Sequence, residues 1–242
     1  MFRKWGRKRM VILSDRDLFK LASEQNFISP FIEENCEGAT IDLTLGPKVK
    51  KYSSDDPIIP GNEITEDHYV EFDLTTDDYY IQPGESILIQ TSETIRVPTD
   101  HVAMIFERYS IKSLGLFISP AHYMNPGFRG SISLLAANKS SVPIKLVPGL
   151  KICQLALFRL SSAPLKPYEK QDAKYMDATG VSISKLHLDK EIQEFLQEKG
   201  VKKVSDELAR DLGDYLMKRI KKAAKELAAE GRRKLKEGGP SG

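Results

Sequence analysis

Short apolar runs cut by proline and glycine predict an all-β domain carrying an amphipathic helical extension at its C-terminal end. Turn signals at Pro83-Gly84, Pro98, Pro126-Gly127 and Pro148-Gly149 separate runs rich in Ile, Val, Leu and Phe at 86–91, 101–106, 131–137, 144–147 and 152–160. Many short strands at this spacing indicate a barrel or sandwich. Upstream, residues 40–46 alternate with period two, and that strand is expected to stop at Gly46-Pro47. After about His187 the apolar spacing changes to steps of three and four, which is helical.

The chain has 242 residues, enough for one all-β domain with a sizeable core plus an appendage. Its formal net charge is +2 with 29% charged residues, so the overall field is weak and does not demand nucleic acid. Cys36 and Cys153 form neither a disulfide framework nor a C-x-x-C site, which fits a reducing interior. Residues 1–9 are basic through Arg3, Lys4, Arg7, Lys8 and Arg9, but only Val11-Ile12-Leu13 follows before Ser14-Asp15. That run is too short for a signal-peptide apolar region or a membrane span. The expectation is a soluble, cytoplasmic protein.

Ser14 is placed as N-cap of a short helix near 15–24, with Leu18, Leu21 and Ala22 on one face. Residues 50–80 are acidic and turn-rich, including Asp55-Asp56 and Asp77-Asp78, and read as solvated loop. In the tail, Ile192, Phe195 and Leu196 mark a short helix ending near Gly200. A longer helix follows through Val204, Leu208, Leu212, Leu216, Ile220, Ala224 and Leu227. Its second half is basic, with Lys218, Arg219, Lys221, Lys222 and Lys225. Such a helix packs on its own domain or a neighbouring subunit, or docks to an acidic partner. The expected division is a basic extension over 1–9, a β domain over 10–187, a helical tail over 188–237 and a disordered end at 238–242.

The chemistry-bearing residues cluster between 108 and 154. Arg108, Ser110 and Lys112 supply donors for a phosphorylated ligand, and the Asn125-Pro126-Gly127-Phe128 turn adds an aromatic face. From 108 to 155 there is no Asp or Glu. The segment therefore has groups to bind with and no evident carboxylate base. The zinc-deaminase pattern, Walker A loop, H-E-x-x-H and G-x-S-x-G are all absent.

Taken in order, Met10–Asp17, Thr40–Gly46, Pro83-Gly84-Glu85, Arg108–Leu116, Asn125–Gly130, Pro148–Leu155, Pro167-Tyr168 and Asp172–Tyr175 resemble the dCTP deaminase/dUTPase superfamily, in particular its dCTP deaminase branch. The resemblance covers about three quarters of the chain, ends near Gly180 and leaves the helical tail outside. It implies a distorted jelly-roll or β-barrel subunit, a homotrimer with sites between subunits, and a pyrimidine deoxynucleoside triphosphate carrying Mg²⁺. It assigns Arg108 and Ser110 to phosphate and Phe128 to the deoxyribose. Gln154, Tyr168 and Lys174 are assigned to the triphosphate.

At the reacting positions the chain departs from that pattern. The deaminase glutamate falls on Leu135, and the aspartate that activates water in dUTPases falls on Asn125. The branch's first serine after the arginine is Tyr109, and its second arginine is Ser113. Lys112 lies one helical step, about 100°, from the latter position. Neither leucine nor a side-chain amide can take a proton near neutral pH, and a missing general base typically costs on the order of 10²–10⁴ in rate. Glu107 and His122 are the nearby groups able to substitute. Three readings stand: a dCTP deaminase, a dUTP diphosphatase, or a non-catalytic nucleotide-binding or assembly protein acting through its helical tail.

Overall fold

The computed structural model describes residues 11–119 and 123–237. Three sequence expectations, the basic extension at 1–9, His122 and the end at 238–242, lie outside the described residues. Strand β1 (Val11–Ile12) leads into α1 (Asp15–Gln25), and two short strands, β2 (Ile28–Ser29) and β3 (Cys36–Glu37), precede the long β4 (Thr40–Tyr52). Next come β5 (Tyr69–Asp73), β6 (Tyr80–Ile81), β7 (Ser86–Arg96), β8 (His101–Glu107) and the single-turn α2 (Tyr109–Lys112). The β region finishes with β9 (Leu116–Ile118), β10 (Tyr123–Met124), β11 (Arg129–Asn138), β12 (Ile144–Lys145) and β13 (Lys151–Arg159). Helices α3 (Lys190–Lys199) and α4 (Asp206–Glu237) close the chain.

Long-range contacts divide the chain into two compact units. One holds 1–53 and 66–183; the other holds 54–65 and 184–242. In the first, antiparallel strands run in the order β10-β8-β13-β4-β7-β11-β9, with β1 added to β13, β2 to β7, and β3 and β5 to β4. Burial alternates cleanly along β11. In β11, Ile132, Leu134 and Ala136 face the core while Ser131, Ser133, Leu135 and Ala137 face out.

Strand β4 belongs to two sheets. Its first half lies between β3 and β13 (Ile41 opposite Cys36 and Leu155), and its second half lies between β7 and β5 (Val49 opposite Ile89 and Phe72). The strand expected to stop at Gly46-Pro47 instead continues to Tyr52, changing partners through a register shift between Leu45 and Val49. An irregularity of this kind bends a strand so that it can pass from one sheet to the next. Gly46 fits because a Cβ there would come within 2.7 Å of Gln90 Cγ, and the Pro47 carbonyl accepts from Leu74 N at 2.7 Å.

Buried Glu93 fastens this crossing. It is 2% exposed and accepts from Thr44 N at 3.0 Å and Thr44 Oγ1 at 2.8 Å, while the neighbouring Ser92 hydroxyl donates to the Leu45 carbonyl at 3.1 Å. One β7 segment thereby satisfies polar groups at the break, where ladder pairing lapses.

Other expectations shift at the edges. Ser14 occupies the N-cap position of α1 with extended backbone, but its side chain makes no capping bond; the nearby Asp15 carboxylate accepts from Arg16 N and Gly38 N. The acidic stretch read as loop contains β5, whose Glu71 pairs with Lys48 at 2.6 Å, and Lys50 bonds Glu66 at 2.6 Å. Both cysteines are free and buried.

The second unit has its own core of Ile192, Phe195, Leu196, Val204 and Leu212, against which Ile59, Val201, Leu208, Tyr215 and Leu216 pack. Asn62 clasps Val204 in both directions, donating to its carbonyl at 2.9 Å and accepting from its amide at 2.6 Å. Gly61 takes φ +102°, a left-handed region that favours glycine. The N-terminal half of α4 is therefore fixed by packing, as the apolar spacing predicts. No described helix is long and apolar enough to cross a membrane.

The Glu93 clasp has a pH signature. Burial pushes this carboxyl above its ordinary 4.5, outweighing the Thr44 hydrogen bonds that act in the opposite direction. A carboxyl raised in the folded state binds its proton more tightly there than in the unfolded chain. Stability is thus greatest below 4.5 and declines as the pH rises from 4.5 through the raised folded value. Glu93→Gln keeps an acceptor for Thr44 N but cannot ionise. Thermal unfolding from about pH 4 to about pH 7 should show wild type losing stability relative to this variant as pH rises. A difference that stays flat across that range would remove this account of the crossing.

Candidate functional site

The outward surface of β4, β13 and β8 carries a connected polar cluster. Strand β13 lies between the other two, with Gln154 opposite Asp42 on one side and Phe106 on the other. Beyond β8 the chain turns at Arg108 into α2, and Arg108 reaches back over the sheet. Its Nε donates to Asp42 Oδ1 at 2.9 Å. Gln154 Nε2 donates to the same oxygen at 3.1 Å and lies 3.3 Å from Thr40 Oγ1, while Lys151 Nζ stands 3.5 Å from Asp42 Oδ2.

Asp42 thus gathers two cations and an amide about one carboxylate whose side chain is 12% exposed. The arrangement fixes Arg108 through Nε, with Nη1 3.4 Å from Ser110 Oγ. A guanidinium so held is pre-oriented for a planar or tetrahedral oxyanion. Three predicted residues, Arg108, Ser110 and Gln154, are brought together here. Asp42 and Lys151, which join them, lie in motifs the sequence displayed but were not expected in the site. Nothing local signals them: Asp42 is 66 residues from Arg108 and 112 from Gln154 along the chain. Only the strand pairing reveals them.

A second group forms around the Asn125–Phe128 turn. Gly127 takes φ +84°, and a Cβ there would stand 3.5 Å from both Pro167 Cβ and Tyr168 N. The turn is stitched by Phe128 N to the Asn125 carbonyl (3.0 Å), Gly127 N to Val97 O (3.0 Å) and Tyr168 N to Pro126 O (2.7 Å). Phe128 is 7% exposed within the core and meets Tyr168 with ring centroids 5.9 Å apart. Asn125 is half-buried beside it. Downstream, the chain returns along the outer face of β11. Arg129 pairs with Asp177, Ser131 N donates to Ala178 O at 2.8 Å, and Ser182 N donates to Ser133 Oγ at 2.7 Å. Lys174 is half-buried in this returning segment.

Leu135 lies on the same outward face, beyond the covered serines, and is 45% exposed. Leu88 opposes it on β7 and Ser119 N donates to its carbonyl at 2.6 Å, so its position on the face is firmly set. The remaining candidates are placed as follows. Glu107 is engaged by Lys112 at 3.1 Å, which also turns Lys112 toward Glu107. Tyr109 is 82% exposed. Among the described residues, no hydrogen bond or ion pair joins the Arg108 cluster to the Asn125–Tyr168 group. In sheet order β8 and β11 are separated by β13, β4 and β7.

A metal ion held by protein groups alone needs several converging donors. Among the described residues no group of three or more His, Cys, Asp or Glu side chains is arranged to hold one. This donor set suits a divalent cation that arrives already coordinated by phosphate oxygens.

Known proteins share this organisation. A family model for dCTP deaminase-like proteins matches residues 12–160. The dUMP-forming dCTP deaminase of Methanosphaera stadtmanae is 34% identical over 192 residues, covering 76% of this chain and 98% of its own length. That of Dictyoglomus thermophilum is 34% identical over 190 residues, covering 74% and 96%. Among solved structures, the 2′-deoxycytidine 5′-triphosphate deaminase of Agrobacterium tumefaciens superposes with a TM-score of 0.51 at 18% identity, over 62% of this chain and 48% of that one. The structural likeness concerns the fold, and the sequence matches carry the kinship. The family-model match over residues 12–160, with 34% identity to relatives covered almost end to end, makes this chain a member of the dCTP deaminase-like family.

Proposed function

We propose that the chain binds a pyrimidine deoxynucleoside triphosphate, dCTP or dUTP with Mg²⁺ on its phosphates, and turns it over very slowly. The observation that carries this reading is the Arg108–Asp42–Gln154–Lys151 cluster, in which a half-buried carboxylate holds the arginine through its Nε. Ser110 and Lys174 add donors for the phosphates, and Phe128 with Tyr168 offers apolar surface to the sugar. Mg²⁺ would neutralise phosphate charge; the chain's part is to orient the phosphates through its own donors.

The relatives' name specifies conversion of dCTP to dUMP, which requires hydrolysis of both an amino group and an α-phosphoanhydride. Each step needs a positioned base. The positions that the family resemblance assigns to those bases hold Leu135 and Asn125. Glu107 is committed to Lys112, and Asp42 has both oxygens engaged. On this reading the described groups suit holding the ligand rather than accepting a proton, and His122 lies outside the described residues.

The homotrimer implied by the resemblance belongs to the same proposal. It is supported by the separation of the two half-sites across the sheet order and by outward apolar residues near Leu135. Phe117 of β9, which pairs with β11 beside Leu135, is 39% exposed. Packing between copies would cover such residues and set one copy's Arg108 cluster against another's β11 face.

Calorimetric titration with dCTP and dUTP in Mg²⁺ should show binding by the full chain. Arg108→Ala should weaken it about tenfold to a hundredfold, the usual worth of a charge-assisted hydrogen bond. Asp42→Asn should weaken it less, since the amide keeps one acceptor while losing the charge that aligns Arg108. Absence of nucleotide binding by the unaltered protein would leave only a structural role.

Turnover separates binding from chemistry. Ammonia and pyrophosphate release should be far below about 1 s⁻¹, the low end of ordinary enzymes. Asn125→Asp should raise pyrophosphate release and Leu135→Glu should raise ammonia release. Ordinary turnover by the unaltered chain would mean that another group serves as base.

A further inference from the structure

Helix α4 carries two apolar stripes, and its own unit covers only one. Leu208, Leu212, Tyr215 and Leu216 pack against the helical core, and Arg219 finishes that face by bonding Glu194 and stacking 5.8 Å from the Tyr215 ring. A second stripe begins at Gly213 and continues through Met217, Ile220, Ala224 and Leu227, in steps of four, three, four and three. That is a heptad spacing, with a period of 3.5 residues. Among the described residues nothing covers it: Met217 is 50% exposed, Ile220 60% and Leu227 72%, and Ala224 is exposed as well.

We propose that α4 packs through this seam against α4 of other copies of the same chain. Three observations select that occupant. First, at about 100° per residue, Lys218, Lys222 and Lys225 project from the side opposite the seam, and only Lys221 of the helix's lysines up to residue 225 stands at its margin. Like charges on neighbouring copies are thereby kept out of the contact. Second, the seam and its margins are built from small residues, with Gly213, Ala223, Ala224 and Ala228 beside only three large side chains. Such a face presents little apolar area to a lipid surface but lets two helix backbones approach closely. Third, beyond the Arg219–Glu194 pair, residues 220–229 of the helix are all exposed. An isolated helix of this length is marginal in water, and a covering partner supplies the missing stabilisation.

The inference does not depend on nucleotide binding. If the β units associate, they hold the tails at high effective concentration, so a short seam suffices. The acidic partner that the basic charge suggested in sequence would meet the opposite, lysine-bearing face and leave the seam uncovered.

Disulfide trapping in the full chain tests the proposal, because Cys36 and Cys153 are buried and stay out of the reaction. The double variant Ile220→Cys/Leu227→Cys places thiols on the seam, where in-register parallel helices pair like with like and antiparallel helices pair 220 with 227. The control Lys218→Cys/Lys225→Cys has the same spacing on the opposite face. Under oxidised glutathione the seam pair should form inter-chain disulfides at least about tenfold faster than the control, as expected when packing raises the effective concentration of two groups. Equal rates, or no cross-linking in either, would overturn the proposal, as would seam protection that appears only on adding anionic phosphatidylserine vesicles. Hydrogen exchange gives a second reading. Amides of 217–230 should be protected in the unaltered chain, and should lose that protection in Ile220→Lys/Leu227→Lys but keep it in Lys222→Gln/Lys225→Gln. Protection indifferent to the seam charges would also overturn it.

Discussion

The passage of β4 from one sheet to the other is the constraint on which the rest of the β unit depends. Residues 40–44 complete the sheet that carries β13 and β8, while residues 45–52 complete the sheet that carries β7 and β11. A one-residue slip at this crossing would reverse the facing of every side chain on one half. The Arg108 cluster needs Asp42 to face outward beside Gln154, and the β11 face needs β7 in its present register. Glu93 binds Thr44 at the junction, where ladder hydrogen bonds cannot serve both sheets. The cost is a carboxyl placed in surroundings that disfavour its charge. That the fold tolerates this cost reflects what the Thr44 bonds hold in place: an unsatisfied amide at the break would itself be expensive.

The parts of the fold legible in the sequence were those written in local pattern. Apolar runs between proline and glycine turn signals located β7, β8, β11 and β13, and the three-and-four spacing located α1, α3 and the packed half of α4. Two features were hidden by composition. Gly46-Pro47 reads as a terminator, but here it sits at a register shift, where a missing side chain and a missing N–H are advantages. The strand Tyr69–Asp73 sits among acidic residues that suggest solvated loop, yet its Glu71 pairs with Lys48 of β4 across the strands. Cross-strand charge pairing of this sort leaves no mark in a local window.

The candidate site divides along the same line. Arg108, Ser110 and Gln154 were identifiable because an ordered set of motifs displayed them. Asp42 was displayed too, yet its part in the site follows from β4 lying beside β13, and no spacing along the chain encodes that contact. Strand parity, by contrast, did transfer from sequence to structure. The outward facing of Leu135 with Ser131 and Ser133 follows from a period of two, and the alternating burial along β11 agrees with it.

On the proposed reading, the groups for binding and the positions assigned to proton transfer sit on different strands, and this separates their fates. Arg108 is aimed by Asp42 from the β4–β13 side, whereas the positions assigned to the bases lie on β11 and in the turn before it. A change at either base position leaves the Arg108 cluster untouched. Leu135 is nearly half exposed, so a leucine there disrupts no core packing, and the amide of Asn125 fills nearly the volume of a carboxylate. Fold stability therefore puts little resistance in the way of losing both bases. Losing Asp42 is different, because it would leave Arg108, Lys151 and Gln154 without the group that gathers them. On the proposed reading, the residues that would hold a ligand are separate from the assigned base positions, so affinity and chemistry can be lost independently.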